Sequence, residues 1–210
     1  MKMLDMPQGT SEWLEARLGI ITASNAHLLL VNGKLKHGLG SGAVTYVYQL
    51  IAERFRGYSD DSFGGNKHTE RGHALEPIVA DYYQKLCGVT PHSMGIVLNH
   101  ADLVGYDVGA SPDRLVGDIG GLEIKTRLGK LQAELLCTQE IDKSHLVQVQ
   151  FNLWVTGREW WDYVSFCPDM PLFVKRFYPD EQMHKQFEIK AKAFYRLLDD
   201  EMAKMIGVKQ

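Results

Sequence analysis

No stretch of the chain approaches the roughly 18 uninterrupted apolar residues that a helix needs to cross a bilayer. Residues 1–13 also lack the apolar core of a secretion signal, so a cytoplasmic protein without a membrane segment is expected. Cysteine is scarce: Cys87, Cys137 and Cys167 are odd in number, widely spaced, and form neither a CxxC nor a Cys/His zinc pattern. A disulfide scaffold is excluded and reduced thiols are expected. An excess of basic charge is missing too. The formal net charge is −3 at pH 7, whereas a phosphate-binding surface usually leaves a basic footprint. Net charge is only a sum, however. A site that holds a divalent metal is itself acidic and can coexist with a basic surface elsewhere.

What is present suits a folded core. At 210 residues and 45% hydrophobic composition, the chain is long enough for one well-buried domain, 1–210, and short for two. Thr10 or Ser11 caps a helix through Arg17 that Gly19 ends, and Thr22 or Ser24 opens a second. Residues 31–42, rich in glycine and lysine, have no apolar periodicity and predict a mobile surface loop. Ser41 then starts a helix whose Val44, Val47 and Ile51 recur at helical spacing. A longer helical pattern runs from Lys67 to Leu86, with Pro77 expected to kink or restart it. Short β-rich runs follow at 94–98, 106–110, 113–116 and 122–126, the last two joined by the tight connection Gly117-Asp118-Ile119-Gly120-Gly121. A helix over 143–155, strands over 161–166 and 172–177, and a C-terminal helix burying Phe187, Phe194, Leu197, Leu198 and Met202 complete a mixed α/β order.

The chemistry concentrates in Ser111-Pro112-Asp113 and, nine residues later, Glu123-Ile124-Lys125. Side chains alternate faces along a strand, so Glu123 and Lys125 share one side while Ile124 points into the core. A hairpin brings Asp113 beside them. Two converging carboxylates hold a hard cation such as Mg²⁺. Such an ion activates water and polarises a phosphate, and a lysine ammonium beside it orients the nucleophile or offsets developing charge. Phosphodiester hydrolysis needs these parts. The same spacing also occurs as a solvated turn with an exposed charge pair, but the apolar Ile124 between the two charges argues for a half-buried strand. The full spacing is that of the PD-(D/E)xK nucleases.

Further motifs narrow the resemblance. Trp13, Arg17, Gly19, Ile21, Thr22, Ala23 and Ser24 resemble the W-x-x-x-R-x-G-x-I-T-A-S signature of the lambda exonuclease (YqaJ-like viral recombinase) family. Arg71-Gly72 with Glu76, Ser111-Pro112-Asp113, Glu123-Ile124-Lys125, and Gln148-Val149-Gln150 followed by Trp154 stand in that family's order. The resemblance implies a mixed central β-sheet flanked by helices, the restriction-endonuclease-like core. It implies that Asp113, Glu123 and the Ile124 carbonyl bind Mg²⁺, with Mn²⁺ as the substitute, and that Lys125 serves the attacking water. Glu76 is similar to the helix-borne glutamate that completes the site, and Gln148 to the family's active-site glutamine. Arg17, Ser24 and Ser111 match its pocket for a terminal 5′ phosphate, a role that a guanidinium and two hydroxyls suit.

This chain also departs from the pattern. Where a relative carries an acid before Ser-Pro-Asp, either His100 or Asp102 stands here, depending on the gap, and His145 replaces a tyrosine. Lys34 and Lys36 resemble a DNA-contacting arm in position and charge alone. By resemblance the protein is a processive 5′ to 3′ exonuclease on linear double-stranded DNA that releases 5′ mononucleotides and leaves a 3′ overhang. It works as a homotrimeric ring, in a phage or prophage setting within a bacterial cytoplasm, with a single-strand annealing protein as partner. The competing readings are another PD-(D/E)xK endonuclease or repair nuclease, and a catalytically silent DNA-binding module.

Overall fold

The computed structural model describes residues 1–34, 36–60 and 67–207. Strand β1 (Lys2–Leu4) leads into α1 (Ser11–Arg17), where the Thr10 side chain accepts the Trp13 N–H as N-cap. After β2 (Ile21–Thr22) the expected second helix is a 3-10 segment, Ala23–Leu28. Ser24 and Asn25 compete with the backbone for hydrogen bonds and disfavour an α-helix there, and the tighter coil suffices to bury Ala23 and Ala26. Helix α2 (Ser41–Arg56) ends at Gly57, whose φ of 73° is the left-handed stop that glycine permits. Helix α3 (Lys67–Cys87) carries Pro77 inside it, so of the expected kink or restart the restart does not occur.

Short elements follow: β3 (Pro91–His92), β4 (Ile96–Asn99), α4 (Ala101–Val104), β5 (Val108–Ala110) and β6 (Arg114–Val116). The long β7 (Gly120–Thr126) then gives way to α5 (Gly129–Thr138) and α6 (Lys143–Thr156). Strands β8 (Trp160–Phe166) and β9 (Phe173–Phe177) precede α7 (Glu181–Gly207). The mixed α/β architecture is as expected, with its strands shared between two sheets. One has the order β1-β4-β5-β2 and the other β3-β6-β7-β8-β9. In the second only β7 and β8 are parallel, and α5 and α6 form the crossover that a parallel pair requires.

Side-chain alternation divides the five-stranded sheet into two environments. Leu122, Ile124 and Val164 pack with Val79 and Tyr83 of α3, whereas Trp161 and Tyr163 pack with Val149 and Leu153 of α6. Opposite faces of α6 therefore serve different cores, since Phe151, Trp154 and Val155 join α2 and α7 over the other sheet. This burial on nearly all sides explains why α6 shows no clean apolar stripe in sequence. Leu122 is fully buried, and truncation to alanine would cost about 2–5 kcal/mol. Gly120 and Gly121 are strand residues whose missing side chains leave room for the Trp160 and Trp161 indoles; Gly117, at φ 51°, makes the turn.

The described part of 31–42 is not a free loop. Asn32 bridges Leu39, the latter fully buried, and Lys190 of α7 donates to Asn32 Oδ1 at 2.7 Å and to the Gly38 carbonyl at 2.9 Å. Lys34 is exposed, while the side-chain expectation for Lys36 lies outside the described residues. Among the described residues, no helix is long and apolar enough to cross a membrane.

Candidate active site

The β6–β7 hairpin pairs Arg114 with Leu122, so one step further along the antiparallel register Asp113 faces Glu123. Asp113 is held there by its own side chain, Oδ2 accepting the Ile124 backbone N–H at 2.5 Å. Glu123 is 1% exposed. Its Oε1 lies 2.6 Å from Lys125 Nζ, and its Oε2 accepts the Asn152 amide at 3.1 Å. Lys125 Nζ also donates to Gln148 Oε1 at 3.1 Å. Gln148 and Asn152 are one helical turn apart on α6, which puts both on the face turned to β7. From the α3 side, Glu76 pairs with Arg114, whose guanidinium also donates to the Asp113 carbonyl at 2.5 Å.

The electrostatics of this cluster are unbalanced. Burial and the neighbouring Glu123 charge, with a further contribution from Glu76, hold the Asp113 carboxyl well above the usual carboxylate range despite Lys125 and the Ile124 N–H. Burial alone would depress the Lys125 ammonium, but Glu123 and Asp113 more than offset it and raise its pKa. Lys125 is therefore charged, and one ammonium serves two carboxylates. Among the described residues no three His, Cys, Asp or Glu side chains form a metal cage. Two carboxylates supplemented by a backbone carbonyl still fit a hard divalent cation, which keeps several waters when protein ligands are few.

A second charged centre adjoins the first along the chain. Arg17 Nη1 donates to Ser111 Oγ at 2.8 Å, and its guanidinium lies 4.3 Å from the Trp13 ring centroid. The indole is fixed by its N–H to the Gly95 carbonyl at 3.0 Å. Gln8 clamps the Pro112 carbonyl at 2.7 Å, so the Ser111-Pro112-Asp113 turn is anchored from outside. Burial lowers the Arg17 pKa, against the pull of Tyr46 and Glu53. The guanidinium borders a cavity of about 610 Å³ together with Tyr46, Gln49 and Glu53. Ser24, the third predicted member of this group, is exposed on the 3-10 segment, and that cavity is lined by its neighbours Thr22 and Asn25 instead.

His100 stacks on Trp154 at 4.2 Å and its Nε2 meets the Trp154 carbonyl at 2.9 Å, which ties it to the C-terminal end of α6. Asp102 is exposed on α4. His145 Nδ1 lies 3.0 Å from the Tyr163 hydroxyl and 3.4 Å from Asp142. Burial and the nearby Lys125 push its pKa down to about 4, so the ring is neutral at pH 7. Sequence reasoning missed Asn152 and Arg114. The first was legible as the helical i+4 neighbour of Gln148.

A mixed α/β fold that brings the Asp113 carboxylate, immediately before β6, beside the buried Glu123 and Lys125 of β7 is an arrangement suited to phosphodiester hydrolysis. Residues 12–159 match the YqaJ-like viral recombinase domain, and the chain belongs to that family. It is similar to LHK-Exo, an alkaline exonuclease from Laribacter hongkongensis: 29% identity over 95% of this chain and 98% of that one, TM-score 0.83. A structure of LHK-Exo in complex with dAMP gives 30% identity over 93% and 96%, TM-score 0.82. A phage-related exonuclease from Haemophilus somnus 129PT shares the fold at 15% identity over 89% and 96%, TM-score 0.67. No curated protein matches the chain. The protein is a DNA-hydrolysing nuclease of the viral recombinase and alkaline exonuclease type.

Proposed function

We propose that the protein is a Mg²⁺-dependent exonuclease that trims one strand of linear duplex DNA from its 5′ end. The observation that carries this reading is the adjacency of the two charged centres. Asp113, Glu123 and Lys125 meet at the hairpin, while the Arg17–Ser111 pair stands one residue away across Pro112. The acidic centre suits a cation and the Arg17 centre an anion, as an enzyme that grips a terminal phosphate while cutting nearby requires.

Asp113, Glu123 and the Ile124 carbonyl would hold Mg²⁺, with Mn²⁺ as substitute. Bound there, the ion supplies charge neutralisation at the scissile phosphate and a lowered pKa for water. Lys125, steered by Glu123 and Gln148, orients the attacking water and opposes the negative charge that develops. Asn152 holds one oxygen of Glu123 and so fixes the direction of the other. Glu76, through Arg114, braces the Asp113 backbone. Arg17 and Ser111 receive the 5′ phosphate, and each cut regenerates the group they bind. The dAMP bound by LHK-Exo is in keeping with a mononucleotide product. A homotrimeric ring would add processivity by enclosing the duplex, and a single-strand annealing protein would take up the 3′ overhang.

The test is a linear duplex labelled separately on each strand and incubated with Mg²⁺, then with EDTA. The expected result is release of mononucleotides from 5′ ends only, stopped by the chelator. Nicking of a closed circular duplex would replace the exonuclease with an endonuclease.

A further inference from the structure

Helix α1 carries Arg17 yet buries none of its own residues. The cavity of about 610 Å³ lies between it and α2, lined on one side by Leu14 and Arg17 and on the other by Gln49 and Leu50. With a gap there instead of packed side chains, the direction of Arg17 depends on hydrogen bonds that tie α1 to its neighbours. One is the Trp13 indole N–H on the Gly95 carbonyl at 3.0 Å. The other tie is at Gly19, two residues past Arg17, where α2 grips both polar groups of the same backbone residue. Glu53 Oε2 accepts the Gly19 N–H at 2.9 Å, and Arg54 Nε donates to the Gly19 carbonyl at 2.9 Å. Gly19 suits this grip, because its φ of 67° turns the chain out of α1 and an added Cβ would stand 2.4 Å from Arg54 Cγ. Tyr46, also on α2, continues the hold. Its hydroxyl donates to the Ile20 carbonyl at 3.1 Å and accepts the Thr22 N–H at 3.2 Å. The segment so fixed runs into β2, which pairs with β5, and β5 ends one residue before Ser111.

Glu53 is the costly member of this frame. It is 6% exposed, on a helix that also buries Val47, Leu50 and Ile51. A buried carboxylate destabilises unless it is hydrogen-bonded, and here its other oxygen accepts the Gln49 amide at 3.1 Å. An apolar side chain would fill the position at less cost, so what the carboxylate adds is its hold on Gly19. We propose that Glu53 is the positioning residue of the 5′-phosphate pocket: by fixing the Gly19 backbone it keeps Arg17 extended to Ser111, and it touches neither DNA nor metal. The proposal rests on the reading of Arg17 and Ser111 as the site of the terminal phosphate. Without the clamp, α1 can settle into the cavity and draw the guanidinium away from Ser111. The hydrogen bonds of a guanidinium to phosphate are directional, so a small displacement is felt first in the preference for the phosphorylated end.

The experiment measures kcat/KM on two linear duplexes that differ only in a 5′-phosphate or a 5′-hydroxyl on the digested strand, and takes their ratio. A ratio taken on one preparation cancels any loss of folded protein, so a merely structural role leaves it unmoved. Glu53→Met keeps the length and the apolar fit but offers no carboxylate. The ratio should fall about fivefold or more, chiefly through KM for the phosphorylated duplex. Glu53→Asp retains the charge but ends one methylene short of Gly19, and should lower the ratio as well. Glu53→Gln keeps the reach and an accepting oxygen, and should keep most of the preference. These two variants disturb packing least, so their comparison stands even where Glu53→Met folds poorly. In an Arg17→Ala background, Glu53→Met should change the ratio no further. An additional fall there would overturn the positioning role, as would a wild-type ratio in Glu53→Asp or a preference lost in Glu53→Gln and kept in Glu53→Asp. If the wild-type protein itself made no distinction between the two ends, the phosphate-pocket reading would fall and the proposal with it. That result is separate from a preference that survives every change at Glu53.

Discussion

The two ends of the Ser111-Pro112-Asp113 turn place opposite charges in similar surroundings. Arg17 at one end is depressed in pKa by burial, and Asp113 at the other is raised by burial and by Glu123. Both shifts mean that the fold disfavours the charged form of each group. Arg17 has a hydroxyl, an indole and the nearby Glu53 carboxylate for company, and Asp113 has a second carboxylate and a shared ammonium. On the proposed function the remaining partners come from outside: an anion for the first, a cation for the second. Local strain of this kind is what a binding site looks like before its ligand arrives.

The comparison breaks most visibly at Glu123. Glu123→Gln keeps the shape but removes the charge, and hydrolysis of linear duplex should fall by at least about a hundredfold, while DNA binding measured by fluorescence anisotropy survives. Loss of both would contradict the division between acidic and basic centres. Asp113→Asn should also abolish cleavage, yet raise the stability of the metal-free protein at pH 8. The Asn carbonyl can still accept the Ile124 N–H. The sign follows from the raised pKa: below about pH 4 Asp113 is protonated folded or unfolded, so the cost is absent. As pH rises through the raised folded pKa the ionised pair is charged against the fold, and the advantage of asparagine grows. Denaturant melts at pH 4 and pH 8 in EDTA check this, and an equal gain at both would disprove it.

On the basic side, Arg17→Ala should reduce the preference for 5′-phosphorylated over 5′-hydroxyl ends by about tenfold or more, and competition between the two ends measures it. An unchanged ratio would show that the guanidinium meets no terminal phosphate. The smallest effect is expected at Asn152. Asn152→Ala leaves Glu123 Oε2 without its donor and should weaken the apparent affinity for Mg²⁺ by about tenfold, read as a shift in the metal dependence of rate with the maximal rate nearly retained.

These centres differed in how well they could be seen beforehand. The Asp113, Glu123, Lys125 group is held by a hairpin, and a hairpin is short-range: alternation and nine intervening residues suffice to predict its face. Arg17 and Ser111 are separated by 94 positions, and only the family pattern linked them before the coordinates did. Ser24 was linked by the same pattern, yet it is exposed and off the cavity wall. Asn152 obeys a simple periodicity, but a period says which face a residue occupies and not what that face meets.

By itself, the sequence determined the main helices and the strands around the hairpin, the hairpin with its paired acids, and the family, while β1, β3, α4 and α5 were not read from it. Those depend on hydrophobic period, turn chemistry and contiguous motifs, all written within a few residues of one another. The tertiary structure decided that the strands divide into two sheets, that α6 serves two cores while offering Gln148 and Asn152 to β7, and that Asn32 and Gly38 are tied to α7. It also decided where buried charge stays uncompensated. Packing between distant segments sets desolvation and partners together, and neither can be read from the identity of the residue that carries the charge.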